Sequence, residues 1–252
     1  MLVASAMVGA FLRVRLPAPH RSSESVDFLR NVTALLVTFA ALVMSLLLAS
    51  ETSSYNSAYR DRNNYAAALT QLDGCMQDYG SELAEQRQQL HGYTAAVIAS
   101  TWPQEPRPEG VAYPDTSNFP LVGEASALTG IMRGIGLSLA ALQPQDSLHQ
   151  SVAIRCKEIF SNVTASRWAV IEDARGTVSE PFAGVLTFWL TLMFLSFGLQ
   201  APRNSLSIFV MAIAVVSVAS VMFVILDLDL PYGGIFGIPS TSMRLALADM
   251  LR

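Results

Sequence analysis

Residues 28–49 read FLRNVTALLVTFAALVMSLLLA, and Arg30 is their one charged side chain. At about 1.5 Å rise per residue, this run is long enough as a helix to cross a ~30 Å hydrocarbon layer. Its weakly apolar residues follow a pattern. Asn31, Ala34, Thr38, Ala41 and Ser45 recur at steps of three and four, so a helix carries them on one face. Leu35, Val37, Phe39, Leu42, Val43 and Leu46 fill the remaining surface. Lipid offers a small and polar stripe nothing, so the stripe either packs on another helix or borders water. Packing is the plainer reading, because small residues let backbones approach closely. In the sharper reading the stripe lines an anion path. Hydroxyl and amide dipoles would then replace part of the ion's hydration shell, and Arg30 would concentrate anions at the mouth.

Composition supports a membrane setting for this span. Of 252 residues, 52% are hydrophobic and 14% charged, where soluble domains carry about 25% charged residues. Mean hydropathy is +0.39. A net charge of −4 and a single lysine, Lys157, argue against nucleic acid as a partner, since that would require a basic face. The three histidines stand far apart with no metal spacing, and no cofactor is indicated. Cys75 and Cys156 are too few for a disulfide framework or a four-thiolate metal site. One bridge between them is open in an oxidising compartment; two unpaired buried thiols are the plainer reading. The sequence holds no G-x-S-x-G, H-E-x-x-H, P-loop or dinucleotide fingerprint, so the expectation is a protein that is not an enzyme.

Outward from the span, residues 1–12 are apolar before any positive charge, the reverse of a secretory signal. At twelve residues they read as the end of a first membrane helix, clipped by the choice of start codon. Residues 13–27 form a polar turn with Pro17 and Pro19, so residues 1–50 make a first transmembrane hairpin. Arg13, Arg15, His20 and Arg21 in this turn suit lipid headgroups.

Residues 51–181 lack a membrane-length apolar run and show only helical periodicity, with nine basic and fifteen acidic residues. Helices are expected over 55–72, 81–100, 121–142 and 145–177, with Gly74 and Gly80 loosening or ending the first. Residues 102–120 contain five prolines and read as an exposed loop. Residues 182–199 and 206–226 are two further spans joined by QAPRNS, a second hairpin within 182–252. Pro231 with Gly233 and Gly234 then breaks the chain before a short amphipathic helix over 240–251. In the last span, Ala212, Ala214, Ser217, Ala219 and Ser220 are spread around the helix, so no second stripe matches that of 28–49.

Asp227 and Asp229 follow the last span, where a helix dipole is already negative, so they call for a partner. An exposed end, or one paired with an arginine such as Arg244, is the plain reading. A bound cation with oxygen ligands is the sharper one. Near the spans, five arginines lie on the short-connection side and six on the other, which leaves orientation undecided. By density the short connections lean cytoplasmic.

Several strings are more specific than composition. They are LPAPHRSSESVDFLRNVTALLVTFAALVMSLLLASETSSY, LTQLDGCMQDYGSELAEQRQQL, FGLQAPRNS and DLDLPYGGIFGIPSTSMRLAL. Together they resemble the bacterial bestrophin-like membrane family, over nearly the whole chain and most weakly over 102–145. Asp227, Asp229, Pro231, Tyr232 and Gly234 belong to the last of these strings. Bestrophins are pentameric anion channels with four membrane helices per subunit, a helical cytosolic part between the second and third, and a pore lined by the second. The resemblance therefore implies a homo-oligomer, pentameric by analogy, in the bacterial inner membrane, passing small anions with residues 51–181 in the cytoplasm. One departure stands out: bestrophins narrow their pore with bulky apolar rings, whereas this stripe is small and polar. The fold expected is an all-α integral membrane protein, with two transmembrane hairpins flanking a helical extramembrane domain. The competing function is a non-conducting membrane scaffold or sensor whose helical domain binds a partner.

Overall fold

The computed structural model describes residues 1–15, 17, 23–120, 123, 125–175, 180–202 and 204–252. His20, Arg21 and Arg203 lie outside these residues. The described chain is helical, with α1 at Leu2–Arg15, α2 at Ser23–Tyr79, α3 at Ala84–Thr101 and α4 at Ser126–Ala141. α5 follows at Ser147–Asp173, α6 at Glu180–Gln200, α7 at Ser205–Leu228 and α8 at Thr241–Met250. No strand occurs among the described residues. They divide into two compact units, Met1–Ser53 with Thr177–Asp229, and Ser54–Gly176 with Leu230–Arg252.

α2 is one helix of 57 residues where the sequence suggests a span and a separate helix from Tyr55. The polar run at 50–54 reads as a break because serine and threonine compete with the helix for backbone hydrogen bonds. Here that competition is harmless. The run holds no glycine or proline, Thr52 Oγ1 donates back to the Leu48 carbonyl at 2.7 Å, and Glu51 is buried. Gly74 is absorbed mid-helix, and the stop comes at Gly80, whose φ of 112° only glycine adopts readily.

In the first unit, α1 lies along α6 and also touches α7. Ala6, Ala40, Leu186, Leu190, Met193 and Phe194 form its buried apolar centre, drawn from α1, α2 and α6, with Met211, Ala214 and Val218 of α7 against it. Gly9 and Gly198 set the approach of α1 to α6. A Cβ on Gly9 would run into the Leu195 carbonyl, and one on Gly198 into the Ala6 carbonyl. Arg13 Nη1 donates to the carbonyls of Gln200 and Ala201, satisfying acceptors that the end of α6 leaves open. Gln200 Nε2 in turn donates to the buried Thr33 Oγ1 at 2.8 Å, tying α6 to α2. Two helices, Asp27–Tyr79 and Ser205–Leu228, are long and apolar enough to cross a membrane, and Gly184–Gln200 is a shorter apolar helix.

In the second unit, Leu69, Leu72, Met76, Leu90, Ile98 and Ile135 are fully buried, each contributing about 1.5–3 kcal/mol relative to exposure. α3 packs on α4 and α8, and α4 on α5. Residues 230–252, grouped with the second hairpin in the sequence reading, belong to this unit. α8 is amphipathic and fills the core with Met243, Ala246, Leu247 and Met250. Residues 102–120 form a loop without helix, held close to α3 because Gly92 leaves room for the Ala112 carbonyl. Asp146 caps α5 by accepting from the His149 backbone N–H at 2.9 Å.

Cys75 of α2 and Cys156 of α5 are joined in a disulfide across 81 residues of sequence, with their Cα atoms 5.6 Å apart. This corrects the reading of two unpaired thiols. The residues sit on different helices, and nothing local in the sequence marks their meeting.

Candidate functional site

The stripe of α2 lies within the first unit. Thr33, Val37, Ala40, Met44 and Leu47 turn inward, with Thr33 and Ala40 buried. Asn31, Ala34, Thr38, Ala41 and Ser45 are all exposed on this chain. Among the described residues of the first unit, no helix therefore seals them. Thr38 Oγ1 donates to the Ala34 carbonyl at 2.9 Å, which satisfies its hydrogen and leaves its lone pairs on the open face. Leu35, Phe39, Leu42 and Leu46 are exposed beside the stripe, so the outward surface of α2 is half small and polar, half large and apolar. Arg30 is exposed, with Asp27 one helical turn away at 3.6 Å, a pairing that water largely screens.

At the end of α7, Asp229 takes the C-cap position and its N–H donates to the Ile225 carbonyl. Arg244, considered from sequence as a partner for Asp227 or Asp229, is engaged elsewhere. Its Nε donates to Glu105 Oε2 at 3.0 Å and its Nη2 to the Pro106 carbonyl at 2.7 Å. Ser240 Oγ also donates to Glu105. Burial pushes the Glu105 carboxyl up, but its hydrogen bonds from Ser240 and Arg244 outweigh that and hold it below the usual range.

In the second unit, Pro231, Tyr232 and Gly234 form a compact turn. The Ile238 N–H donates to the Pro231 carbonyl at 2.7 Å, and Gly234 takes a φ of 71°. Trp102 Nε1 donates to the Ile238 carbonyl at 2.8 Å, which pins the turn to the first residue of the proline-rich loop. Arg62 of α2 is sandwiched between the two aromatic rings, its guanidinium carbon 4.2 Å from the Trp102 ring centre and 4.3 Å from that of Tyr232. Burial holds this guanidinium below its ordinary pKa. Asp173 nearby is pushed up, by burial and then by the like charge of Asp61. Arg62 Nη1, Tyr232 Oη and Asp173 Oδ2 are each buried without a hydrogen-bond partner.

Beside this cluster lies a cavity of about 730 Å³, with Trp102, Tyr232, Tyr65, Tyr93 and Arg167 in its wall. Tyr65 and Tyr93 share a hydrogen bond, and Arg167 donates to Tyr93 Oη at 3.0 Å and to Thr129 Oγ1 at 3.1 Å. Sequence reasoning singles out Tyr232 and the loop but misses Arg62, Trp102, Tyr93 and Arg167 as one cluster. Their separations along the chain leave no periodic signal. Arg62 did carry a clue, as a charge within a run that otherwise buries Tyr65, Leu69 and Leu72.

Comparison with known proteins bears on the whole fold. A crystal structure of a bacterial bestrophin homologue from Klebsiella pneumoniae, carrying a single point mutation, superposes with a TM-score of 0.68. It does so at 14% identity, covering 100% of this chain and 99% of that one, so the two share their fold. No curated protein matches the chain. The family model for the bestrophin-like domain matches residues 1–243, and the chain belongs to the bestrophin-like family.

Proposed function

We propose that this protein is an integral, homo-oligomeric protein of the bacterial inner membrane that passes small anions along the stripe of α2. The observation that carries the reading is the exposure of all five stripe residues on a helix long enough to span a bilayer. Water or a second copy of the chain would cover them, and both arrangements suit an oligomer built around α2. The outer faces of α7 carry Leu206, Ile208, Phe209, Ile213 and Val216 exposed, which suits hydrocarbon. Asn31, Thr38 and Ser45 supply the amide and hydroxyl dipoles, and Arg30 supplies the positive charge at one end. Pentameric assembly and the anion as cargo are carried over from bestrophins.

The test is cysteine substitution at Thr38 and Ser45 in protein reconstituted into liposomes. Reaction with small aqueous thiol reagents, together with anion flux that the modification blocks, is expected. Full protection of both positions overturns the pore reading. A scaffold or sensor in the same membrane is the second reading, favoured by the aromatic cavity of the second unit. Intact assembly without flux would select it.

A further inference from the structure

We infer that the second unit, Ser54–Gly176 with Leu230–Arg252, stands in an oxidising compartment on the extracytoplasmic side of the membrane, closed there by the Cys75–Cys156 bond. The inference rests on the membrane reading above, but on none of its claims about conduction.

The first support is chemical. Cys75 and Cys156 are the only cysteines of the chain, and they are joined to each other. Both are buried, Cys156 completely, within the core where α2 meets α5. In the cytoplasm, thiol reductants keep such pairs reduced, and lasting structural disulfides belong to oxidising compartments. Burial adds a constraint on timing. An oxidant cannot reach the sulfurs once the core has closed around them, so the bond must form while the unit is folding. The step balances with a disulfide-bearing protein oxidant of the extracytoplasmic space. The Cys75 and Cys156 thiols lose two protons and two electrons and form one S–S bond. The oxidant's disulfide takes up both and leaves as a dithiol.

The second support is independent of sulfur. With spans at 28–49, 182–199 and 206–226, residues 13–27 and 200–205 share one side and residues 51–181 take the other. The two short connections carry Arg13, Arg15, Arg21 and Arg203 within a few residues of the spans. Residues 51–181 spread nine basic residues among fifteen acidic ones over a much longer stretch. Arginine density in short loops marks the cytoplasmic side, whereas long domains cross largely regardless of charge. By number the arginines near the spans are balanced, five against six, and it is their density in the short connections that leans the same way as the disulfide. Both reverse the orientation that the likeness to bestrophins implies. Any soluble ligand of the Trp102–Tyr232 cavity would then arrive from outside the cytoplasm.

One experiment reads both halves of the inference. A site-specific protease sequence is inserted after Glu109, in the exposed proline-rich loop and inside the segment that the disulfide closes. A sister variant carries the site after Pro202, in the short connection. Protease is added to right-side-out spheroplasts and to inverted membrane vesicles, with thiols alkylated before lysis. Cleavage after Glu109 is expected in spheroplasts only and after Pro202 in inverted vesicles only, and the fragments of the first variant should part only on reduction. The reverse pattern of cleavage, or fragments that part without reductant, overturns the inference. Because an insertion can disturb folding, the thiols of the unaltered chain are also trapped in intact cells. Two alkylated cysteines there, before any reduction, overturn it equally. Resistance of the chain to alkaline carbonate extraction separates failure of this orientation from failure of the membrane reading itself.

Discussion

Gly9 of α1 and Gly198 of α6 meet where the two helices are closest, and a Cβ on Gly9 would lie 3.1 Å from the Gly198 Cα. Neither glycine is needed for a turn, since both are helical and the sequence would tolerate alanine on propensity alone. Their purpose is steric: the backbones of the two helices touch, and dispersion between them replaces side-chain interdigitation. Gly198→Val, whose Cβ would run into the Ala6 carbonyl, is expected to cost about 1–3 kcal/mol or to separate α1 from α6 altogether. Thermal unfolding of the solubilised protein, compared with Gly184→Val at a position with open space, measures it.

The Cys75–Cys156 bond closes a segment of 81 residues. In the chain-entropy picture a loop of that length restricts the unfolded state by about 4.5 kcal/mol. Reduction, or the pair Cys75→Ser with Cys156→Ser, should therefore lower the stability of the second unit by several kcal/mol. Unfolding in denaturant with and without reductant provides the reading, and equal midpoints would argue that the bond adds nothing.

Asp73 accepts from Arg87 Nε and Nη2 at 2.9 and 2.8 Å and meets His91 Nε2 at 2.7 Å. Burial pushes its carboxyl up, but the hydrogen bonds from His91 and Arg87 outweigh that, so its folded pKa lies below the ordinary value. A depressed carboxylate stabilises the fold above the unfolded pKa of about 3.9, and that contribution is lost as pH falls through the folded pKa. The second unit should thus weaken on acidification below about pH 4, and Asp73→Asn should flatten that limb while lowering stability at neutral pH. Unfolding midpoints measured from pH 3 to pH 7 test both halves.

Arg62 is 2% exposed, between the rings of Trp102 and Tyr232. Arg62→Ala opens a cavity and parts the two rings, and a loss of about 2–4 kcal/mol is expected. Arg62→Lys keeps the charge but loses the flat guanidinium that stacks on both faces, so it should rescue little. Quenching or shift of Trp102 fluorescence reports the local change, and thermal unfolding its cost.

The sequence made the two long apolar helices, the proline-rich loop and the all-helical middle legible, because each rests on local signals of composition and period. The continuity of α2 was not legible, since five polar residues at 50–54 mimic a boundary. What overrides them is Glu51 buried and Thr52 bonded back into the helix, and neither shows in a sequence pattern. Period alone puts the stripe residues on one face of α2, but their exposure depended on which side of the helix the inward Thr33 and Ala40 would claim. Arg244 was one of several candidate partners for Asp227 and Asp229, beside solvent or a bound cation, and nothing local in the sequence points to the contact it makes. Glu105, more than a hundred residues away, holds it instead.

The placement of Met243, Ala246, Leu247 and Met250 in the core of the second unit sets an order on how the protein is made. The ribosome releases Ser54–Gly176 first, then α6 and α7, and only afterwards the helix that completes the earlier segment's core. Until then the nascent unit carries an unfilled apolar recess where α8 will dock on α3. The core of the second unit therefore closes only once α8 has been made, and a chain cut before Thr241 would leave its recess on α3 open.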